Sequence, residues 1–331
     1  MTIGIGKQDH ENARWIDGGD AACGFCPSDP KLFIIAKRCG RLANRLMLFA
    51  HFIALAEEQG HRLINFTFHS YAHLFEVTRH DVYCRYPAGG RRSRFDAVPG
   101  INAAIRKTRI LYHATRAAAL LIERFPVFGG KVMTLRETPG AIVTPLDGPE
   151  VQARICDAKV VFVYGWRFRA PGLVQKHAQK IRAYFQPVES YVRTSDDMVR
   201  LLRREADVVA GVHVRQGDYG GWRGGKYLFP ISQYASWMRQ FAEQFPSQKV
   251  SFLVCSDEPR ATSEFPGLSV GLGTSSPMRD LQALGKCDFI FGPPSTFSRW
   301  ASFYGNRPLY LIGGVNDQLE LGKFRTSCLD A

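Results

Sequence analysis

Short apolar runs rich in branched residues alternate with longer amphipathic segments along most of the chain. In the first half, buried strands are predicted at 31–36, 61–66 and 159–166, and helices at 46–60 and 172–185. Gly60 ends the first of these helices, after which the next strand begins. The sequence between 70 and 150 is less regular and predicts no defined element.

The second half shows the alternation more clearly. Strands are predicted at 208–214, 249–258, 288–292 and 308–312. Helices are predicted through the apolar face that runs from Tyr234 to Phe245, after Ser276–Pro277, and after Ser295. Alternating elements of this kind form parallel, doubly wound sheets, so the pattern predicts an α/β protein whose two halves face a cleft. The linker is expected near 185–205.

Length and composition are those of a globular protein. The chain has 331 residues, 45% of them hydrophobic, and no run of 18 apolar residues or apolar leader of the secretory type. The eight cysteines suggest reduced thiols and a cytoplasmic location. Cys23 and Cys26 have the spacing of a redox or metal site, but no second pair accompanies them, and we do not expect them to be functional.

The net charge of +13 is partly local. Between Arg91 and Arg124 there are eight Lys or Arg residues, opposed by Asp96 and Glu123 alone. A solvated surface is the favoured interpretation, and peripheral attachment to an anionic membrane surface is the second. A nucleic-acid partner is not expected, because no motif typical of nucleic-acid binding accompanies the charge.

Polar residues follow three strands of the second half. They lie at 213–218, at Ser256–Asp257 and at 292–298. The carboxyl ends of parallel strands share one edge of a sheet, which is where open α/β sheets bind ligands. Arg215 can donate paired hydrogen bonds to phosphate, and a helix that begins at Ser295–Thr296 offers backbone N–H groups and a favourable dipole. This edge suits a ligand with several phosphate oxygens.

The segment 220–227, GGWRGGKY, matches a phosphate-binding P-loop except at its last position. Tyr227 replaces the Ser or Thr that would hold magnesium, and Pro230 follows where a helix should continue. We interpret it as a flexible basic loop that closes over a ligand.

Three motifs together resemble a known family. HVRQGDY (213–219) is similar to the His-x-Arg-Arg-Gly-Asp-Tyr signature of the inverting fucosyltransferases, most closely the α-1,2-fucosyltransferases of glycosyltransferase family 11 and more distantly the α-1,6 and protein O-fucosyltransferases. GRLANR (40–45) resembles their N-terminal Gly-x-x-x-Asn-Gln loop, and CDFIFGPPSTFSRWASFYG resembles their C-terminal segment.

The resemblance implies a GT-B fold with two Rossmann-like domains, GDP-fucose as donor, a glycan acceptor, inversion at the sugar carbon, and no metal or other cofactor. The domains expected are a flexible leader at 1–30, an acceptor-side domain at 31–195 and a nucleotide-sugar domain at 196–331. The chain also lacks the Asp-x-Asp with which metal-dependent transferases hold a diphosphate through a cation.

The resemblance also implies roles for individual residues. Arg215, Asn44 and Asp218 are the candidate catalytic residues, although Asp218 could instead hold Arg215 in place and no general base is assigned. The candidate nucleotide-sugar ligands are Gly40, His213, Gln216, Asp257, Asp280, Ser295 and Thr296. Several of these residues have a simpler interpretation: Asp280 as a helix-end acid, Ser295 with Thr296 as an N-cap, Asn44 as a helix cap, His213 as a satisfied buried residue and Asp257 as a turn residue.

Two positions depart from the family pattern. Gln216 replaces the second Arg of the signature, and Arg45 replaces the Gln that follows Asn44. The loss of a charge at Gln216 leaves a related 6-deoxyhexose donor open. The sequence is also compatible with a transferase for a different nucleotide-sugar and with a non-catalytic basic binding protein.

Overall fold

The computed structural model describes residues 29–89, 109–125, 129–327 and 329–330. The leader up to residue 28, with Cys23 and Cys26, and most of the basic segment that begins at Arg91 lie outside these residues. Within the described ranges no helix combines the length and the apolar character needed to cross a bilayer.

Helices and strands alternate along most of the described chain. The strands are β1 Leu32–Ile35, β2 Arg62–Ile64, β3 Val132–Arg136, β4 Thr144–Pro145, β5 Val160–Tyr164, β6 Phe168–Arg169, β7 Val208–Val214, β8 Val250–Ser256, β9 Ser269–Leu272, β10 Phe289–Gly292, β11 Pro308–Leu311 and β12 Arg325–Thr326. The helices are α1 Leu42–Gln59, α2 Ile110–Arg124, α3 Pro149–Ile155, α4 Pro171–Lys176, α5 Ala178–Tyr184, α6 Glu189–Arg203, α7 Ile231–Ala242, α8 Pro277–Leu284 and α9 Thr296–Gly305.

Two main sheets divide these strands. The first is parallel throughout, in the order β2-β1-β5-β3. The second has the order β12-β11-β10-β7-β8-β9 and is parallel except for β12, which pairs antiparallel with β11. Because parallel strands need helical crossovers, helices cover the faces of both sheets and bury the central strand β7 along its whole length.

The apolar core continues from one half into the other. Helix α1 is buried on almost every side, and one cluster of buried side chains joins it to α8 and α9 of the second half. At this junction the ring of Phe185 packs edge-on against Trp300, with centroids 5.2 Å apart. The C-terminal segment also returns to the first half, where the Leu329 carbonyl lies 2.9 Å from His51 Nε2. The two halves are therefore packed firmly against each other beneath the cleft.

Several elements differ from the sequence-based expectation. Helix α1 begins at Leu42, four residues earlier than predicted, because Leu42 and Ala43 are buried with the rest of the helix. The segment predicted as one helix over 172–185 is broken at His177, which, with Lys176, contacts Glu58 of α1. The linker region at 185–205 is mostly the helix α6.

Among the edge strands, β2 lies within the strand predicted at 61–66, but β3 and β9 were missed by the sequence analysis. The irregular region 70–150 contains β3, which pairs with β5 at the edge of the first sheet. The short strand β9 forms an edge of the second sheet, and its side chains are only partly buried. Edge strands of this kind lack the continuous apolar run by which buried strands are recognised in a sequence.

Candidate functional site

A cleft of about 630 Å³ lies where the carboxyl ends of the two sheets meet. The first half contributes the loop between β1 and α1, together with Tyr71 and Trp166. The second half contributes the residues that follow β7, β8 and β10 and the start of α8. All of the candidate site residues except Gln216 line this cleft.

The loop that precedes α1 depends on a close approach between Gly40 and Asn44. Gly40 has φ +56°, and a Cβ atom there would lie 1.9 Å from Asn44 Nδ2, so only glycine fits. The Asn44 side chain does not cap the helix, because no side-chain bond is made at the N-cap residue Arg41. Its Oδ1 instead accepts a hydrogen bond of 2.5 Å from Thr296 Oγ1. Asn44 thus links the two halves across the cleft.

Arg45 lies in the interior of the first half. Its guanidinium donates to the Gly40 and Thr67 carbonyls and to Ser70 Oγ, at 2.8 to 3.2 Å, and lies over the Tyr71 ring. Burial, with a smaller contribution from Arg38, lowers the pKa of Arg45 to about 10. The departure from the family pattern at this position therefore serves to hold the Gly40 loop.

Arg215 is held between two carboxylates directly after β7. Its NH1 lies 3.3 Å from Asp257 Oδ2 and its NH2 lies 2.6 Å from Asp218 Oδ1. The Arg215 and Asp257 side chains are 17% and 14% exposed, whereas Asp218 is 54% exposed. The guanidinium has five N–H donors, and these two contacts leave others for a ligand in the cleft.

Gln216 does not face the cleft. Its backbone N–H donates to Asp257 Oδ1 at 2.9 Å, and its side-chain Nε2 donates to the Phe229 carbonyl at 2.7 Å. The side chain therefore fixes the loop that leads into α7. The Gln216 side chain, where the fucosyltransferase motif has a second Arg, therefore bonds within this loop and is not among the residues that line the cleft.

His213 lies at the end of β7 with its ring 5.0 Å from that of Phe297. Its Nδ1 is 2.8 Å from Ser298 Oγ. Burial, and secondly the positive charge of Arg215, lower the pKa of His213 to about 4, so the ring is neutral at physiological pH. A neutral ring with one nitrogen engaged by a hydroxyl can present the other nitrogen to a ligand.

The start of α9 forms another wall of the cleft. Ser295 is its N-cap, and Ser295 Oγ accepts the Phe297 N–H at 3.2 Å. No acidic residue lies in the first turn, so backbone N–H groups and the positive end of the helix dipole remain available for an anion. The Tyr219 hydroxyl donates to the Pro294 carbonyl and fixes the preceding turn.

Asp280, in the first turn of α8, is a buried carboxylate that also lines the cleft. Its Oδ1 accepts from Thr274 N at 2.7 Å and from Thr274 Oγ1 at 2.9 Å. Burial raises its pKa, and the bonds to Thr274 oppose that rise. Asp280 is 4% exposed and yet lines the cleft, so it does more than complement a helix dipole from solvent.

The P-loop-like segment forms two short 3-10 turns, Gly217–Gly220 and Trp222–Gly225. No helix follows directly, which agrees with the sequence-based rejection of a P-loop. Trp222 packs against Tyr219 and Tyr227, with centroids 4.7 and 5.3 Å away, and is 37% exposed. An aromatic surface is thus presented to the cleft.

Tyr71 and Trp166 line the cleft and were missed by the sequence analysis, whereas Trp222 and Phe297 lie in segments predicted to reach the ligand but were not named as candidates. Trp166 comes just after β5 and could have been found by the rule that located Arg215. Tyr71 carries no such signal. In the described part of the chain no group of three or more His, Cys, Asp or Glu side chains is arranged to hold a metal ion.

The chain was also compared with proteins of known sequence and structure. No protein-family model matches the chain. Nodulation protein Z of Azorhizobium caulinodans is 28% identical over a region that covers 36% of this chain and 46% of that protein. The match therefore spans about half the length of this curated relative.

Among solved structures, a mutant of FUT1 from Arabidopsis thaliana in complex with GDP is similar, with a TM-score of 0.50 and 13% identity over 86% of this chain and 71% of that chain. The fucosyltransferase NodZ from Bradyrhizobium has a TM-score of 0.44 and 16% identity over 83% of this chain and 92% of that chain. The predicted GT-B type α/β fold is confirmed.

Proposed function

We propose that this chain is a glycosyltransferase that moves fucose from GDP-fucose to a hydroxyl of a glycan, with inversion and without a metal ion. The main support is the convergence, in one cleft between two Rossmann-like halves, of a guanidinium held by two carboxylates and the free start of a helix. Both groups suit a diphosphate. The likeness to nodulation protein Z and to the GDP complex of FUT1 adds to it.

The donor is assigned to the second half, which we propose acts as the nucleotide-sugar domain. The diphosphate contacts Arg215 and the N–H groups at Ser295 and Thr296, while Asp280 accepts hydrogen bonds from the guanine edge. Without a cation, Arg215 and the helix dipole neutralise the charge that develops on GDP as the glycosidic bond breaks. Groups that are already oriented toward developing charge stabilise the transition state more than the ground state.

The ion pair between Arg215 and Asp218 gives Asp218 two successive roles. In the free protein Asp218 holds the guanidinium from its exposed side. A diphosphate binds the free N–H donors of Arg215 and also takes over the donor that the exposed Asp218 occupies, while the more buried Asp257 stays in place. Asp218 is then free to accept a proton.

The acceptor hydroxyl oxygen attacks the anomeric carbon of fucose, and its proton passes to the Asp218 carboxylate. The bond between the anomeric carbon and the phosphate oxygen breaks, and its electron pair leaves with GDP. Attack on the face opposite to the leaving group inverts the anomeric carbon.

The first half supplies the acceptor side. Asn44 is bonded to Thr296, so it stands between the proposed phosphate site and the loop of the first half. The exposed faces of Trp222 and Trp166 offer apolar surface on which sugar rings pack.

The test is an NMR assay of GDP-fucose with a panel of glycan acceptors. It follows both the release of GDP and the anomeric signal of any fucoside formed. We expect a fucoside of inverted configuration, formed at the same rate in excess EDTA. A rate that is lost in EDTA and restored by manganese or magnesium would contradict metal independence, and retention of configuration would contradict the displacement.

A further inference from the structure

A second, smaller pocket lies in the first half next to the cleft. Its volume is about 20 Å³, enough for one water-sized group at its base. Arg38, Arg45 and Arg109 line it, together with Ser70 and the ring of Tyr112. A space of this size takes a single oxygen atom of a bound group and excludes a sugar ring.

Within the described residues, the positive charge of the pocket has no carboxylate partner. Among the residues that the structure describes, neither Arg38 nor Arg109 forms an ion pair with a carboxylate. Arg45 is bonded to carbonyls and to a hydroxyl, which leave its charge in place. Arg38 and Arg109 also both contribute, after burial, to the lowered pKa of Arg45, as expected of like charges close together.

The start of helix α2 adds to this field. Arg109 is its N-cap residue, and no acidic side chain lies in its first turn. The first N–H groups of a helix have no partner within it and carry partial positive charge. Three guanidinium groups and a helix start therefore surround a space that holds one small group.

The pocket and the cleft share a wall. The Arg45 guanidinium lies 4.9 Å from the ring centre of Tyr71, and Tyr71 lines the cleft. Arg38 is two residues before Gly40, which also lines the cleft. The Arg45–Tyr71 pair therefore stands between the pocket and the cleft, and a substituent of a molecule bound on the first-half side has to pass this pair to enter the pocket.

We propose that this pocket binds an oxyanion carried by the acceptor, a carboxylate, sulfate or phosphate group, so that the enzyme prefers acidic glycans over neutral ones. The proposal rests on the function proposed above, since it concerns that enzyme's acceptor. An oxyanion is favoured over a membrane surface because the pocket admits one group and adjoins the cleft.

The kinetic test uses matched pairs of oligosaccharides that are identical except for one carboxylate, sulfate or phosphate group. GDP-fucose is the donor, and the measured quantity is the ratio of kcat/KM for the anionic member to that for the neutral member. We expect a ratio of at least ten in the parent for one of the three groups, which identifies the oxyanion. The ratio should fall toward one in Arg38→Gln and in Arg109→Gln, because each loses a charged, forked donor.

Arg62→Gln is the matched control. Arg62 is an exposed residue of the same half that lines neither cavity, and the substitution removes the same charge. Its ratio should equal that of the parent. Ratios near one in the parent, or an equal fall in Arg62→Gln, would overturn the proposal.

A structural test needs no acceptor. Crystals of the GDP-saturated protein are soaked in tungstate, an oxyanion located by its anomalous scattering. We expect a peak between Arg38 and Arg109 in the parent that is lost in Arg38→Gln, and no peak at this position in the parent would overturn the proposal. If GDP fails to bind while tungstate occupies the pocket, the proposed function fails and the oxyanion site stands. If no glycan accepts fucose, the tungstate result alone decides whether the pocket binds an oxyanion.

Discussion

Substitutions of Arg215 distinguish a role of this residue in catalysis from a role in the stability of the folded protein. In Arg215→Lys the charge stays, but an ammonium lacks the forked donors that contact Asp257 and a diphosphate together. We expect kcat to fall at least tenfold, which corresponds to about 1.4 kcal/mol of lost transition-state stabilisation. The affinity for GDP should fall less, because the lost interaction strengthens as the bond to GDP breaks.

The contacts of Arg215 set limits on how much it contributes to the free energy of unfolding. The pair with Asp218 is more than half exposed on the carboxylate side, and exposed pairs contribute up to about 1 kcal/mol to the free energy of unfolding. Asp257 is more buried, and in Arg215→Ala it retains the Gln216 N–H as a partner. The loss of its charged partner should cost about 1–3 kcal/mol of stability.

The assay combines turnover, followed by GDP release, with thermal melting of the same preparations. Arg193→Ala is the control, because Arg193 forms an exposed pair with Glu189 on α6 away from the cleft, and it should match the parent in both measurements. An Arg215→Lys protein that melts and turns over like the parent would remove Arg215 from catalysis. If Arg215→Ala loses activity only in proportion to its folded fraction, its role is structural.

Three further outcomes are expected. Asp280→Ala should weaken GDP binding in calorimetry by about 1–3 kcal/mol and leave UDP binding unchanged; an equal GDP affinity would return Asp280 to a purely local role with Thr274. Gly40→Ala should lower activity severely because its Cβ would displace Asn44, and a parental rate would show that the bond between Asn44 and Thr296 is dispensable. The folded-state pKa values of His51 and His213, about 3 and about 4, lie below the unfolded value of about 6.5. Their stabilisation is therefore present above pH 6.5 and lost as the pH falls, by about 1.4 kcal/mol each at pH 5.5; a melting temperature that does not decrease between pH 7.5 and 5.5 would contradict this.

The residues of the cleft that follow strands could be located from the sequence. Arg215, Asp257 and Ser295 each follow a buried parallel strand, and the run of apolar residues marks both the strand and its end. A local pattern is enough in these cases, because the topology of parallel sheets brings strand ends together.

Contacts between distant segments could not be located in this way. Gln216 was itself a candidate ligand and Arg45 follows the candidate Asn44, yet their side chains turn away from the cleft to bond Phe229 and Thr67. Such bonds depend on which loop packs beside the residue. The periodicity of apolar residues in the sequence carries no information about that packing. Tyr71 reaches the cleft for the same reason, through its contact with Arg45.

The way in which the two halves pair could also be predicted only in part from the sequence. Two sheets and an intervening cleft follow from the alternation of elements. The hydrogen bond from Thr296 to Asn44, which joins residues far apart in the chain, required coordinates.

Titration calorimetry with GDP, GDP-fucose, UDP and ADP tests the assignment of the cleft most directly, with EDTA present throughout. The proposed site binds through the diphosphate at Arg215 and the start of α9, and through the guanine edge at Asp280. GDP and GDP-fucose should therefore bind at one site per chain, at least tenfold more tightly than UDP or ADP. Equal affinity for the four nucleotides, or binding of none of them, would contradict a GDP-sugar site in this cleft.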